Sequence, residues 1–295
     1  MDQCVDVLLV GPWDRVLSAR GEDGIRYYID RLKQHFFIGK VIYSSSDPPG
    51  TIPHDIFDNV ASTYSGELLT NSYINSNTSY ASSRSRLSPY IENVKAGLEL
   101  CSAKFIIRVR SDLELQGIET IHNLLTNSPE NIYIDYHPEH SLLIPFYYSD
   151  MFLAAKSENV LSLYSGCFER NYIGKKKLSF NPFRYLNAGF WDESYQYPEL
   201  LFWSKGLCNL NYIENSKYTS SNLIGFIRSL GLINNKLFLV NRNKIFNVHS
   251  RFNKKHYWGE SILFPWSITV TLRLFIKHLF QFTYKTVRNI YIKLR

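Results

Sequence analysis

Cysteine is scarce in this 295-residue chain. There are four, Cys4, Cys101, Cys167 and Cys208, far apart and with no C-x-x-C pair. That spacing argues against a zinc site or a disulfide framework. The start, Met1-Asp2-Gln3-Cys4, lacks the basic and long apolar segments of a secretion signal. No run of about 18 uninterrupted apolar residues occurs, so no membrane-crossing helix is expected. These absences together lead one to expect a cytoplasmic protein. Gly and Pro are few, at 15 and 11, and charged residues make up 20%, which argues against a disordered chain. No internal repeat is visible. The last absence is local: no Asp or Glu follows Glu260.

Of what is present, 45% of residues are hydrophobic, enough for a sizeable core in one large or two small domains. Aromatics are abundant, with 21 Tyr and 19 Phe. Tyr suits places where one end of a side chain stays wet, as in carbohydrate sites and at membrane surfaces. An aromatic-rich core is the plainer account of any single Tyr. The net charge is +7, and the six cations Arg273, Lys277, Lys285, Arg288, Lys293 and Arg295 supply +6 of it, leaving about +1 for the remainder. A near-neutral body at 1–260 and a basic tail at 261–295 follow. In the tail the cations alternate with apolar residues and with Trp266, Tyr284 and Tyr291. This describes an amphipathic helix lying in a membrane surface. Each cation contributes roughly 1 kcal/mol near an anionic leaflet. The alternative is a C-terminal helix packed on the body. Nucleic acid is not an expected partner, because no binding motif accompanies the charge.

The body alternates strand-like and helix-like segments. Val5 to Val10 is nearly all apolar and ends at Gly11-Pro12, as a buried parallel strand entering a loop would. Gly24 to Phe37 has helical spacing, and Lys40 to Ser44 forms the next strand. Strand, helix, strand implies a parallel sheet. Asn59 to Tyr64 reads as a third strand, and the polar stretch Asn71 to Arg86 as a long loop. Ser88-Pro89 has the residues that open a helix. Lys104 to Val109 is a strand, with Arg108, Arg110, Ser111, Asp112 and Glu114 crowded at its carboxyl end. Downstream, Ile118 to Leu125 and Glu158 to Tyr164 read as helices. Ile132 to Tyr136, Phe146 to Ala154, Lys236 to Val240 and Ile245 to Val248 read as strands. Pro198-Glu199 opens a helix running to about Leu207.

Open α/β sheets bind ligands outside the carboxyl ends of their strands. A nucleotide-sugar transferase of the GT-A type uses one or two carboxylates there to hold a divalent metal, which holds the diphosphate leaving group. Mn²⁺ and Mg²⁺ take oxygen ligands, so Asp112 and Glu114 have the right chemistry. The metal offsets the charge that develops on the departing diphosphate, and Arg110 adds bidentate phosphate or carboxylate contacts. His249, in Asn247-Val248-His249-Ser250-Arg251, is a candidate further ligand, suited to Mn²⁺. A solvated turn holding an Arg–Asp pair is the plain alternative for the first run, and a surface His in a basic loop for the second.

The chain resembles the WavE family of lipopolysaccharide synthesis proteins, which is similar to GT-A glycosyltransferases. Arg108-Val109-Arg110-Ser111-Asp112 matches that family's Lys-x-Arg-[Ser/Thr]-Asp run, with Arg108 in place of the Lys. Ser149-Asp150-Met151-Phe152, Tyr197-Pro198-Glu199 and Gly11-Pro12 match further short motifs, in order from about residue 5 to about 205. The family's Arg and Ser in the helix before the run do not align cleanly, and Arg84 and Arg86 match them only loosely. The resemblance implies a GT-A-like domain with a central, mostly parallel sheet, followed by the amphipathic tail. It implies transfer of a sugar from a nucleotide-sugar donor to a growing surface glycan or lipid-linked glycan. The expected site has Gly11, Arg110 and Asp112 binding the donor, and Asp112, Glu114 and His249 on the metal. The catalytic carboxylates would be Asp150 and Glu199, one of them taking the acceptor proton in an inverting reaction. Helix capping is the plain alternative for Glu199. A non-catalytic glycan-assembly protein with a degenerate transferase fold is the competing function.

Overall fold

The computed structural model describes residues 4–64, 81–136, 151–165, 207, 210–212, 232 and 235–246. They form an α/β fold around one seven-stranded sheet. The strands are β1 (Val5–Val10), β2 (Ile38–Ser45), β3 (Asn59–Ser62), β4 (Phe105–Arg110), β5 (Ile132–Tyr136), β6 (Phe152–Lys156) and β7 (Leu237–Asn241). Their order across the sheet is β3-β2-β1-β4-β6-β5-β7. All neighbours run parallel except β6, which is antiparallel to β4 and β5.

Helices cover both faces. On one lie α1 (Trp13–Lys33) and α3 (Ile118–Asn127), burying Val16, Ile25, Ile29, Ile121 and Leu125 against Val7, Leu9, Ile107 and Phe152. On the other lie α2 (Ala81–Leu98) and α4 (Ser157–Tyr164), burying Ile91, Val94, Val160 and Leu163 against Leu8, Ile106 and Leu153. With both faces covered, β1 and β4 read as continuous apolar runs rather than alternating ones. Among the described residues no helix is long and apolar enough to cross a membrane.

One carboxylate organises the amino ends of the central strands. Asp6 is 1% exposed within β1. It accepts the backbone N–H of Lys40 (2.8 Å), Ser102 (2.6 Å) and Ala103 (2.9 Å). The β1–β2 register slips between Val5 and Val7, so a bulge lies in β2 at Gly39-Lys40. Gly39 is required there, since a Cβ would lie 2.5 Å from Asp6 Oδ1.

Several boundaries differ from the sequence reading. The first helix begins at Trp13, directly after Pro12, and ends at Lys33. Pro12 has no N–H to lose at a helix start, and Trp13 and Val16 are buried. Gly21 (φ 68°, ψ 176°) breaks the helix and hides its first half from a periodicity reading. Its predicted last turn is lost because Ile38 pairs with Val5. Ala81 to Arg86, read as loop, belong to α2, and Pro89 lies inside that helix rather than at its start. Ser-rich composition suggests a loop there, but Ala81, Arg84, Arg86 and Leu87 are competent helix formers. Ile245 closes a helical turn, Arg242–Ile245, instead of opening a strand. Residues 71–80, 146–150 and 198–206 and the tail at 261–295 lie outside the described residues, as does the boundary at 260.

Replacing Asp6 by Ala leaves three backbone donors unmatched and is expected to cost about 3 kcal/mol or more in urea unfolding. Asp6→Asn, which keeps one acceptor oxygen, should lose less.

Candidate functional site

The chain lays down β1, β2 and β3 in one direction, then returns to the other side of β1 as β4. The connections therefore diverge between β1 and β4. In open α/β sheets such a switch point leaves a crevice at the carboxyl ends of the strands, where ligands bind. The two segments that flank this switch point are Gly11-Pro12 after β1 and Ser111-Asp112 after β4.

Backbone pairing draws them together. Val10 is in register with Arg110. Ser111 donates its N–H to the Val10 carbonyl at 2.9 Å, and Gly11 donates to Ser44 at 3.2 Å. Gly11 has φ +147°, and a Cβ there would stand 2.5 Å from Ser111 Oγ. No other residue type fits between these segments without moving one of them. Tyr43, buried in β2, donates its hydroxyl proton to the Gly11 carbonyl at 2.7 Å. Burial pushes that hydroxyl's pKa far up, so it remains a donor.

Arg110 and Asp112 form a bidentate ion pair, Nε to Oδ1 at 2.5 Å and Nη2 to Oδ2 at 3.0 Å. The pair that a plain turn would contain is therefore present. Both carboxylate oxygens of Asp112 are engaged, and its side chain is 17% exposed. Glu114 is ion-paired with Arg31 of α1 at 3.3 Å. Among the described residues no group of three or more His, Cys, Asp or Glu side chains is gathered as a metal ion requires. Asp112 and Glu114 have the right donor chemistry for a hard cation, but each is matched to an arginine. A metal ion would have to displace Arg110 from Asp112.

Arg108 does not reach the crevice. It is fully buried in β4, between Leu8 and Leu153, with its guanidinium 5.4 Å from the centre of the Tyr90 ring. Asp150, Glu199 and His249 lie outside the described residues. Met151 accepts the Arg110 N–H at 3.0 Å. Phe246 bridges to Leu115, and Gln116 donates Nε2–H to the Phe246 carbonyl at 2.7 Å.

Three features at this end of the sheet escaped the sequence reading. Asp47, just beyond β2, accepts the Trp13 N–H at 2.6 Å and the Ser45 hydroxyl at 2.6 Å. It thus closes the positive end of α1 with an internal anion. Arg20, half-buried on α1, lies over the Tyr28 ring, 4.8 Å from its centre. Tyr28 in turn accepts the Leu115 N–H at 3.0 Å. Asp135 of β5 and Arg242 after β7 form a fully buried ion pair at the carboxyl ends of those strands. Only the Asp135–Arg242 pair carried a local hint, an acid inside an apolar strand.

No family model matches the chain, and no curated protein matches it. The WavE-like reading therefore rests on the short motifs quoted above.

Gly11→Ala is expected to destabilise the fold by about 1–3 kcal/mol, the cost of the left-handed backbone position together with the clash. Adding Ser111→Ala should recover the part due to Oγ and leave the backbone part. A double-mutant cycle in urea measures the coupling.

Proposed function

We propose that this chain is a glycosyltransferase of the GT-A type, moving a sugar from a nucleotide-sugar donor to a lipopolysaccharide or other surface-glycan acceptor. The observation that carries the reading is the convergence of Gly11 and the Arg110-Ser111-Asp112 run at the switch point between β1 and β4. Residues 100 apart in sequence, matched to two separate WavE-like motifs, meet where an α/β sheet takes a nucleotide.

In the reaction, the acceptor hydroxyl oxygen bonds to the anomeric carbon as the bond to the diphosphate breaks. The diphosphate leaves with the electron pair. Arg110 offsets that negative charge once released from Asp112. In an inverting reaction a carboxylate takes the hydroxyl proton. Asp150, next to the residue that bonds Arg110, and Glu199 are the candidates. Mn²⁺ or Mg²⁺, held by Asp112 with Glu114 and His249, would supply further charge stabilisation.

The engagement of both Asp112 oxygens by Arg110 favours a second reading, a non-catalytic glycan-assembly protein that keeps the fold. Thermal-shift measurements with nucleoside diphosphates, each with and without Mn²⁺ or Mg²⁺, separate the two. The transferase is stabilised; the assembly protein responds to none of them. Asp112→Asn is expected to lower kcat/KM about 100-fold or more while unfolding within a few degrees of the parent. Undiminished turnover in that variant removes Asp112 from the site.

The tail at 261–295 supports a peripheral location at the inner membrane face. The full chain is expected to sediment with anionic vesicles at low salt and to be released as salt rises. Equal binding to neutral vesicles, or equal binding after removal of 261–295, rules that role out.

A further inference from the structure

Arg20 is the last residue before the break in α1 at Gly21. Its Nη1 is shut off from solvent and has no hydrogen-bond partner. An unmatched buried donor on a charged group is costly, and a matched one is not. The neighbouring carboxylates are already taken. Asp112 is held by Arg110 and Glu114 by Arg31, while Asp47 accepts from Trp13 and Ser45. Burial holds the guanidinium below the usual arginine range, against the pull of Tyr28, Glu114, Asp112 and Tyr43. Neither tyrosine supplies an anion, since burial pushes Tyr28 up to about 12 and Tyr43 further. What this place lacks is an anion with several acceptor oxygens.

We propose that Arg20 is a diphosphate-binding residue at the crevice between β1 and β4. The identity of the diphosphate's bearer rests on the nucleotide-sugar reading above; the need for an anion rests on the unmatched Nη1 and the committed carboxylates around it. In dinucleotide-binding folds the phosphate sits on the amino end of the helix after β1, over a glycine-rich turn. Here Asp47 occupies that end, and Gly11 is the one glycine in the turn. Charge compensation therefore falls to side chains. Arg110 is committed to Asp112 in the resting chain, and among the described residues Arg20 is a neighbouring cation with an unmatched donor. Its planar fork matches a phosphate group.

The test uses the full chain and three probes: inorganic pyrophosphate, a panel of nucleoside diphosphates, and the matching nucleosides. Calorimetry and thermal shift read binding. The parent should bind pyrophosphate and at least one nucleoside diphosphate. Arg20→Gln should weaken both about tenfold or more and leave nucleoside binding unchanged. Arg26→Gln, on the same helix and paired with Glu22 and Asp55, should bind as the parent does. If Arg20→Gln does not fold, Arg20→Met keeps the apolar stem over Tyr28 and takes its place. Parent-like diphosphate binding in the folded Arg20 variant overturns the proposal and leaves the transferase reading standing. Arg20-dependent pyrophosphate binding without any nucleotide binding upholds the anion site and overturns the transferase reading. Binding of neither by the parent overturns both.

Discussion

Asp6 lies wholly inside the sheet, and its carboxylate receives N–H groups from β2 and from the segment that leads into β4. A buried carboxylate is tolerable only when its charge is met by several donors. Those three donors come from β2 and from the residues just before β4, one on each side of β1. The bond to Lys40 sits at the bulge, where the ladder cannot use that N–H. From there the pairing of β1 with β4 runs without interruption to Val10 and Arg110. A slip of one residue would turn every side chain of β4 to the opposite face. Gly11 would then no longer lie against Ser111. The geometry of the crevice is thus set at the far end of the same strands.

Among the described residues, Arg20 stands beside a set of paired charges at this end of the sheet. Asp47 faces the amino end of α1, Asp112 faces Arg110, and Glu114 faces Arg31. Such pairing makes the segments rigid, and it means that an incoming anion must find or release a cation. Arg110 can be released only at the cost of uncovering Asp112. Arg20 needs no release. The buried Asp135–Arg242 pair belongs to the same end of the sheet but works differently. It turns the chain inward after β7 and so delivers Phe246 to Leu115. Breaking such a pair strands a charge in the interior, which is why one partner cannot be lost alone.

Much of the fold was legible in the sequence. The apolar runs of β1 and β4 and the periodicity of α3 and α4 survive in the structure because burial on two faces, or along one stripe, leaves a local pattern. Where reading failed, a distant residue decided the outcome. The helix expected to reach Phe37 stops at Lys33, and the strand expected from Lys40 starts at Ile38, because Val5 is there to pair with Ile38. Ile245 left the strand pattern because Arg242 turned toward Asp135. Gly21 hid half of α1, although Trp13 and Val16 carry the correct spacing.

The sequence by itself determined the α/β class, the extent of β1, and the crowding of Arg110, Ser111 and Asp112 near the carboxyl end of β4. These are local properties, written in runs and spacings of a few residues. Tertiary structure decided which strand ends meet. The return of the chain to the far side of β1 brought Gly11 against Ser111. Folding also decided what each charged group faces: it locked Asp112 to Arg110, buried Arg108 away from the crevice, and left Arg20 unmatched beside it. The reason is physical. The charge of a residue is written in its side chain, but its partner is set by packing between segments far apart in sequence.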